Sequence, residues 1–163
     1  MGEIKQQVIK VGIADLKVVN APDTIRTAGL GSCVGLVLYD QVSKRAGLLH
    51  IMLPNSILSR SDTVNVAKFA DTGVKALIEQ MGVSTTRLKA KMAGGAQMFQ
   101  FSSQKDMMRI GPRNVGAIKD QLKLHRIPLL GEDVGGNSGR TIEFDTATSL
   151  LHIRTVNAGE TIL

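Results

Sequence analysis

The sequence predicts a layered α/β domain of mixed strands with flanking helices, and it leaves an α+β arrangement open. Two stretches carry apolar residues at helical spacing. Several shorter runs rich in Val, Ile and Leu are broken by glycine or polar residues, as strands are. One pair of such runs, up to Asp40 and from Ala46, is close enough in sequence to form a hairpin. A length of 163 residues suits one domain, spanning 1–163, around one sizeable core.

Residues 5–19 alternate loosely around Val8, Val11, Ile13, Leu16 and Val18 and read as extended chain. A short strand over Thr24 to Ala28 leads into a glycine corner, Gly29-Leu30-Gly31. The hairpin follows, with its first strand over Cys33 to Asp40, a loop from Asp40 to Arg45, and a return through Ala46 to Pro54. Residues 62–81 form the best helix: Ala67, Ala70, Val74, Leu77, Ile78 and Met81 share a face, Asp62 can cap the start, and Gly82 ends it. A strand over Leu88 to Ala93 comes next. A second helix is expected to start at Arg113-Asn114, with Val115, Ile118, Leu122 and His125 on one stripe. Ile127 to Val134, Thr141 to Phe144 and Leu150 to Val156 read as strands.

Composition excludes several functional classes. The chain is 43% hydrophobic but only 3% aromatic, so its core must be aliphatic. No apolar run approaches the ~20 residues of a membrane span, so no membrane insertion is expected. Met1-Gly2-Glu3-Ile4-Lys5 lacks the apolar segment of a secretory signal. The net charge of +6 raises nucleic acid as a partner, but basic and acidic residues are interleaved, as in Lys68, Asp71, Lys75 and Glu79. One Tyr and four Phe offer few stacking platforms, so no nucleic acid is expected. The glycine clusters at Gly94-Gly95 and Gly135-Gly136 lack phosphate-loop or dinucleotide spacing and read as tight turns and close backbone approaches around a cleft.

Cys33 is the single cysteine. It excludes an intrachain disulfide and a structural zinc site, and a thiol that must stay reduced fits the cytoplasm. It also stands just after the glycine corner, at the start of the first hairpin strand, while His50 lies near the end of the second. Antiparallel pairing brings those ends together. A thiol beside an imidazole is the minimum for cysteine-hydrolase chemistry, since His can take the thiol proton. The competing reading of each is structural: a small buried cysteine and a satisfied core histidine.

The blocks Gly29-Leu30-Gly31-Ser32-Cys33-Val34, with Tyr39-Asp40 after it, and Gly47-Leu48-Leu49-His50-Ile51-Met52-Leu53-Pro54 resemble the CheD family of chemoreceptor glutamine deamidases. The resemblance continues through Ala93 to Phe99, Ile110 to Val115, Asp133 to Gly136, and Gly139-Arg140. It implies an α/β sandwich, a catalytic Cys33 and His50, and a third catalytic residue at Thr27 that orients the histidine. The chain departs from the family at Thr148-Ser149, near where the family often has glycine. The implied reaction hydrolyses receptor glutamines to glutamate without metal or organic cofactor. Backbone N–H groups of Gly31, Ser32 and Cys33 are the candidates for holding the oxyanion. The implied substrates are methyl-accepting chemotaxis receptors, and the implied partner is the phosphatase CheC. The alternative function is a regulatory subunit that stimulates CheC and retains little deamidase activity. Gln97, Met98 and Phe99 are candidates for a partner rim, and Arg113 and Asn114 for lining the substrate groove. A depressed thiol pKa at Cys33 is a further expectation.

Overall fold

The computed structural model describes residues 5–58, 65–97 and 109–163. Among the described residues, ten strands form two five-stranded sheets. The outer sheet has the order β1-β3-β8-β9-β10, with β1 (Val8–Lys10), β3 (Thr24–Leu30), β8 (Arg140–Asp145), β9 (Leu150–Thr155) and β10 (Gly159–Ile162). The central sheet has the order β2-β5-β4-β6-β7, with β2 (Leu16–Asn20), β5 (Arg45–Ile51), β4 (Val34–Asp40), β6 (Lys89–Gly94) and β7 (Leu129–Val134). Of the pairs between these strands, β1–β3 and β6–β7 are parallel and the others antiparallel. Two helices, α1 (Ala70–Met81) and α2 (Ile110–Leu124), supply the third layer.

Alternation along the central strands builds two cores. Val34, Leu36, Leu38, Leu49 and Ile51 meet Val74, Leu77, Ile118 and Leu122 of the helices. Val37, Tyr39, Ala46, Leu48 and Ala93 point the other way, onto Ile25, Ile142, Phe144 and Ile153 of the outer sheet. Because both sides of β4 and β5 are covered, these strands are apolar almost throughout. With both helices on one face of a mostly antiparallel sheet, the α+β arrangement left open by the sequence describes the fold best.

The predicted hairpin forms with Asp40 opposite Arg45 and Val34 opposite Ile51. Gly82 ends α1 in the left-handed conformation, with φ 65°. The start of α1 differs from the expected residue 62, a position outside the described residues. Phe69, with φ −117° and ψ 145°, is extended, buried and bridged to Leu53, so the α-helix begins only at Ala70. Helix α2 begins at Ile110, three residues before the expected start. Pro112 sits in its first turn, where a missing N–H costs no hydrogen bond. His125 caps the end of α2 instead of joining its buried stripe. Strand β10 was not anticipated: all four of its residues are exposed, so it carries no alternation to read. Ser149 adopts φ 59°, a left-handed turn position that favours the glycine common in the resembled family.

Arg140 pins the two sheets together. It is 7% exposed and donates to the carbonyls of Gly94 at 3.3 Å and Gly135 at 2.9 Å, with Asp133 at 3.5 Å. Arg140→Met is expected to lower stability by on the order of 1–3 kcal/mol, since it removes the side-chain donor to the Gly135 carbonyl, one of the two donors to the Gly94 carbonyl and the ion pair with Asp133. The check is a denaturant midpoint that falls with an unchanged m-value.

Candidate active site

The site lies where the chain crosses from the outer to the central sheet. Thr27 pairs with Ile142 and Leu30 with Arg140, so β3 carries one more residue than β8 across this step. This bulge is the corner foreseen from Gly29, which adopts φ 73°; the Gly31 N–H closes it onto the Gly29 carbonyl at 3.1 Å. The chain then enters β4 through Ser32 and Cys33.

The glycine-rich end of β6 buttresses this corner. The Gly95 N–H donates to the Cys33 carbonyl and the Ala96 N–H to the Gly31 carbonyl, both at 2.8 Å. A Cβ at Gly94 would lie 2.3 Å from the Cys33 carbonyl oxygen, so only glycine allows the approach. The Gly135 N–H in turn donates to the Gly94 carbonyl at 3.0 Å. Both glycine clusters are thus close backbone approaches, as the sequence suggested.

His50 stands directly opposite Gly35 in the hairpin. A Cβ at Gly35 would come within 2.7 Å of Ile142 and 3.5 Å of the Thr27 methyl, so Gly35 leaves room between the sheets beside His50. Cys33 lies two residues before Gly35 on the same strand face and packs against the inter-sheet core. It is therefore the diagonal neighbour of His50 on that face, a relation that spans about 7–8 Å in a regular ladder, and in the free protein the His50 Nε2 makes no hydrogen bond to the thiol.

Thr27 and His50 meet across the two sheets, with Thr27 Oγ1 2.7 Å from His50 Nδ1. The same hydroxyl donates to the Val11 carbonyl at 2.7 Å. A carbonyl can only accept, and a hydroxyl has one hydrogen, so Thr27 must accept from Nδ1–H. That assigns the proton to Nδ1 and leaves the lone pair on Nε2, which is buried and finds no partner among the described residues.

Electrostatics differ from the expected thiolate–imidazolium pair. Burial pushes the Cys33 thiol above its ordinary value, only partly offset by its own backbone N–H. Burial also lowers His50 to about 4. Both groups are neutral at rest, so the imidazole is a base waiting for a proton.

The other sequence candidates divide. The Gly31 N–H is engaged at the corner, which leaves those of Ser32 and Cys33 as oxyanion candidates. Gln97 is tied by its N–H to the Gly136 carbonyl at 2.9 Å, while Met98 and Phe99 lie outside the described residues. Arg113 is exposed and lines a groove of about 430 Å³ with Pro54, Asn55 and Ile57, just beyond the end of β5. Asn114 does not line it: the side chain is fully buried and donates to the carbonyls of Ser32 and Met52. Sequence reading missed that role, although a polar residue on the apolar stripe of α2 was its available signal. Among the described residues no three His, Cys, Asp or Glu cluster as metal ligands would, and no helix is long and apolar enough to cross a membrane.

A histidine bonded through Nδ1 to a threonine, on the strand face it shares with the chain's single cysteine, has the make-up that a cysteine hydrolase requires. Comparison with known proteins narrows the class. A family model described as CheD chemotactic sensory transduction matches residues 52–155. The chain is 57% identical to the chemoreceptor glutamine deamidase CheD of Bacillus subtilis, over 98% of each chain. Identity to the protein of the same name in Bacillus velezensis is 56% over the whole of both. With that of Halalkalibacterium halodurans it is 60%, over 94% of this chain and 96% of the other. The chain belongs to the CheD family. In fold alone it is similar to Neisseria meningitidis protein NMB0706, with a TM-score of 0.52 and 9% identity over 80% of this chain and 64% of that one.

Proposed function

We propose that this chain hydrolyses glutamine side chains of methyl-accepting chemotaxis receptors to glutamate, using Cys33 as nucleophile, His50 as base and acid, and Thr27 to orient the histidine. The observation that carries the mechanism is the hydrogen bond from His50 Nδ1–H to Thr27, which leaves Nε2 free on the face shared with Cys33. The names of the relatives support the substrate.

A carboxamide resists water at neutral pH, so a strong nucleophile must be made when substrate is present. As Sγ of Cys33 attacks the amide carbon, Nε2 of His50 takes the thiol proton. Because burial disfavours both charged forms, the proton moves as the C–S bond forms, so the negative charge develops on the amide oxygen and not on a free thiolate. The tetrahedral oxyanion accepts from the backbone N–H groups of Ser32 and Cys33, where one donor is worth about 10²–10³ in rate. The C–N bond then breaks, and Nε2–H protonates the departing ammonia, leaving a thioester. Water gives a proton to Nε2 as it attacks the thioester carbon. The C–S bond breaks, the sulfur regains its proton, and glutamate is released. The balance is one water consumed and one ammonia formed.

The same reading places the protein in the cytoplasm, where receptor helices carrying these glutamines are exposed. It adds CheC as a partner competing for the mouth of the site, since a protein seated there would exclude the receptor. Incubating a receptor fragment with the protein should add about one dalton per modified glutamine. Titrating CheC into the assay should suppress that gain. Full deamidation at saturating CheC would refute a shared surface, and no mass gain with protein alone would refute the activity.

A further inference from the structure

We propose that Asn114 is a positioning residue for this reaction, clamping the open end of the catalytic hairpin and aiming the Cys33 N–H at the oxyanion. The proposal rests on the deamidase reading for its kinetic consequences and on geometry for the clamp itself.

The hairpin ladder has its last pair at Val34 and Ile51. Beyond it the strands separate, and Met52 turns its N–H to the Lys68 carbonyl at 2.8 Å. The carbonyls just past the ladder, Ser32 and Met52, each receive a hydrogen bond of 2.9 Å from Nδ2 of Asn114. Both hydrogens of one amide are thus spent on the two strands that carry Cys33 and His50. Asn114 is fully buried on α2, beside Val115 and Ile118, and its Oδ1 finds no partner among the described residues. A buried amide with an unpaired oxygen is costly for the fold alone, and the two donated bonds are what offset it.

Peptide planarity turns this clamp into control of the reacting groups. The Ser32 carbonyl and the Cys33 N–H belong to one trans peptide, so they point in opposite directions. Fixing the carbonyl on Asn114 fixes the N–H, which lies toward its own sulfur. Without the clamp the peptide can rotate and carry its donor away from the developing negative charge. The clamp also sets how far the strand ends splay, and so the offset between thiol and imidazole. Its position is held in turn by Gly111, where a Cβ would meet the Ala96 and Gly95 carbonyls at 2.4 and 2.5 Å, so α2 seats directly on the glycine corner.

Asn114→Leu and Asn114→Asp keep the shape and remove both amide hydrogens. Each is expected to lower kcat on a receptor fragment by about 10²-fold or more, the effect of one misplaced donor. KM should stay within about threefold, because the clamp does not touch the substrate. Wild-type kcat in a folded variant would overturn the proposal, as would a loss confined to KM. If neither variant folds, exchange of the Asn114 side-chain amide hydrogens in the wild-type protein decides: slow exchange supports the clamp and free exchange refutes it. Wild-type inactivity on receptor glutamines would refute the deamidase reading instead. The clamp is then judged by iodoacetamide labelling of Cys33, whose pH midpoint rises in Asn114→Leu if the peptide rotates and stays put if it does not.

Discussion

Cys33→Ala should leave receptor glutamines unmodified while barely disturbing the fold. In the proposed mechanism the Cys33 thiol is the nucleophile served by the Thr27–His50 pair, and water has no replacement route to a resonance-stabilised amide at neutral pH. Cys33 is half-buried at the margin of the inter-sheet core, so losing one sulfur atom opens little cavity. A cost of about 1 kcal/mol or less is expected, equivalent to a melting shift of roughly 2–4 °C for a chain of this size. Mass spectrometry of a receptor fragment reads the activity, and a thermal melt reads the fold. Deamidation at the wild-type rate in this variant would remove Cys33 from the mechanism. Collapse of the melt would assign it to structure.

The hairpin was legible because a pairing rule translates directly into geometry: once Asp40 and Arg45 frame the loop, Cys33 and His50 must share its open end. The glycine corner was legible because glycine is the residue that adopts a φ such as the 73° of Gly29 at least cost. Thr27 came from the resemblance alone. Its bond to His50 spans 23 residues and two sheets, and no local pattern encodes a contact between sheets. Asn114 was seen but misplaced: as part of a helix start it was a candidate for lining the substrate groove, whereas its amide is buried on two backbone carbonyls. With α2 starting at Ile110 both residues are inside the helix, about 100° apart, which leaves Arg113 exposed and Asn114 buried on the apolar stripe. The early break in α1 at Phe69 was hidden for a related reason: helical spacing continues through the residue, and its bridge to Leu53 overrides it. The expected thiolate failed on burial, a property of the assembled layers that a cysteine–histidine spacing does not carry.

Thr27→Val should cost activity about 10²–10⁴-fold, and Thr27→Ser should restore most of it. Valine matches the shape of threonine but cannot accept from Nδ1–H, so the imidazole loses its reason to keep the proton there. The other tautomer places hydrogen on Nε2 and leaves no base beside Cys33. His50→Asn retains a donor toward Thr27 but has no basic nitrogen, so it should be inactive while folded. The pH dependence separates this mechanism from a standing ion pair. His50 has a folded value of about 4 against about 6.5 when unfolded, so the imidazole remains able to accept protons through the whole neutral range. The acid limb of kcat/KM should therefore lie near 4 and not near 6.5. Stability carries the same sign: the folded value is depressed, so the contribution of neutral His50 is complete above about 6.5 and is lost as pH falls toward 4. The slope in that window is at most about 1.4 kcal/mol per pH unit, and His50→Asn should flatten it. Because burial raises the Cys33 thiol, iodoacetamide labelling of the free protein should climb with pH through a midpoint above that of an ordinary thiol. His50→Asn should leave that midpoint nearly in place while abolishing turnover. A labelling plateau reaching below pH 7, lost in His50→Asn, would instead establish a preformed thiolate–imidazolium pair and overturn the neutral-pair mechanism.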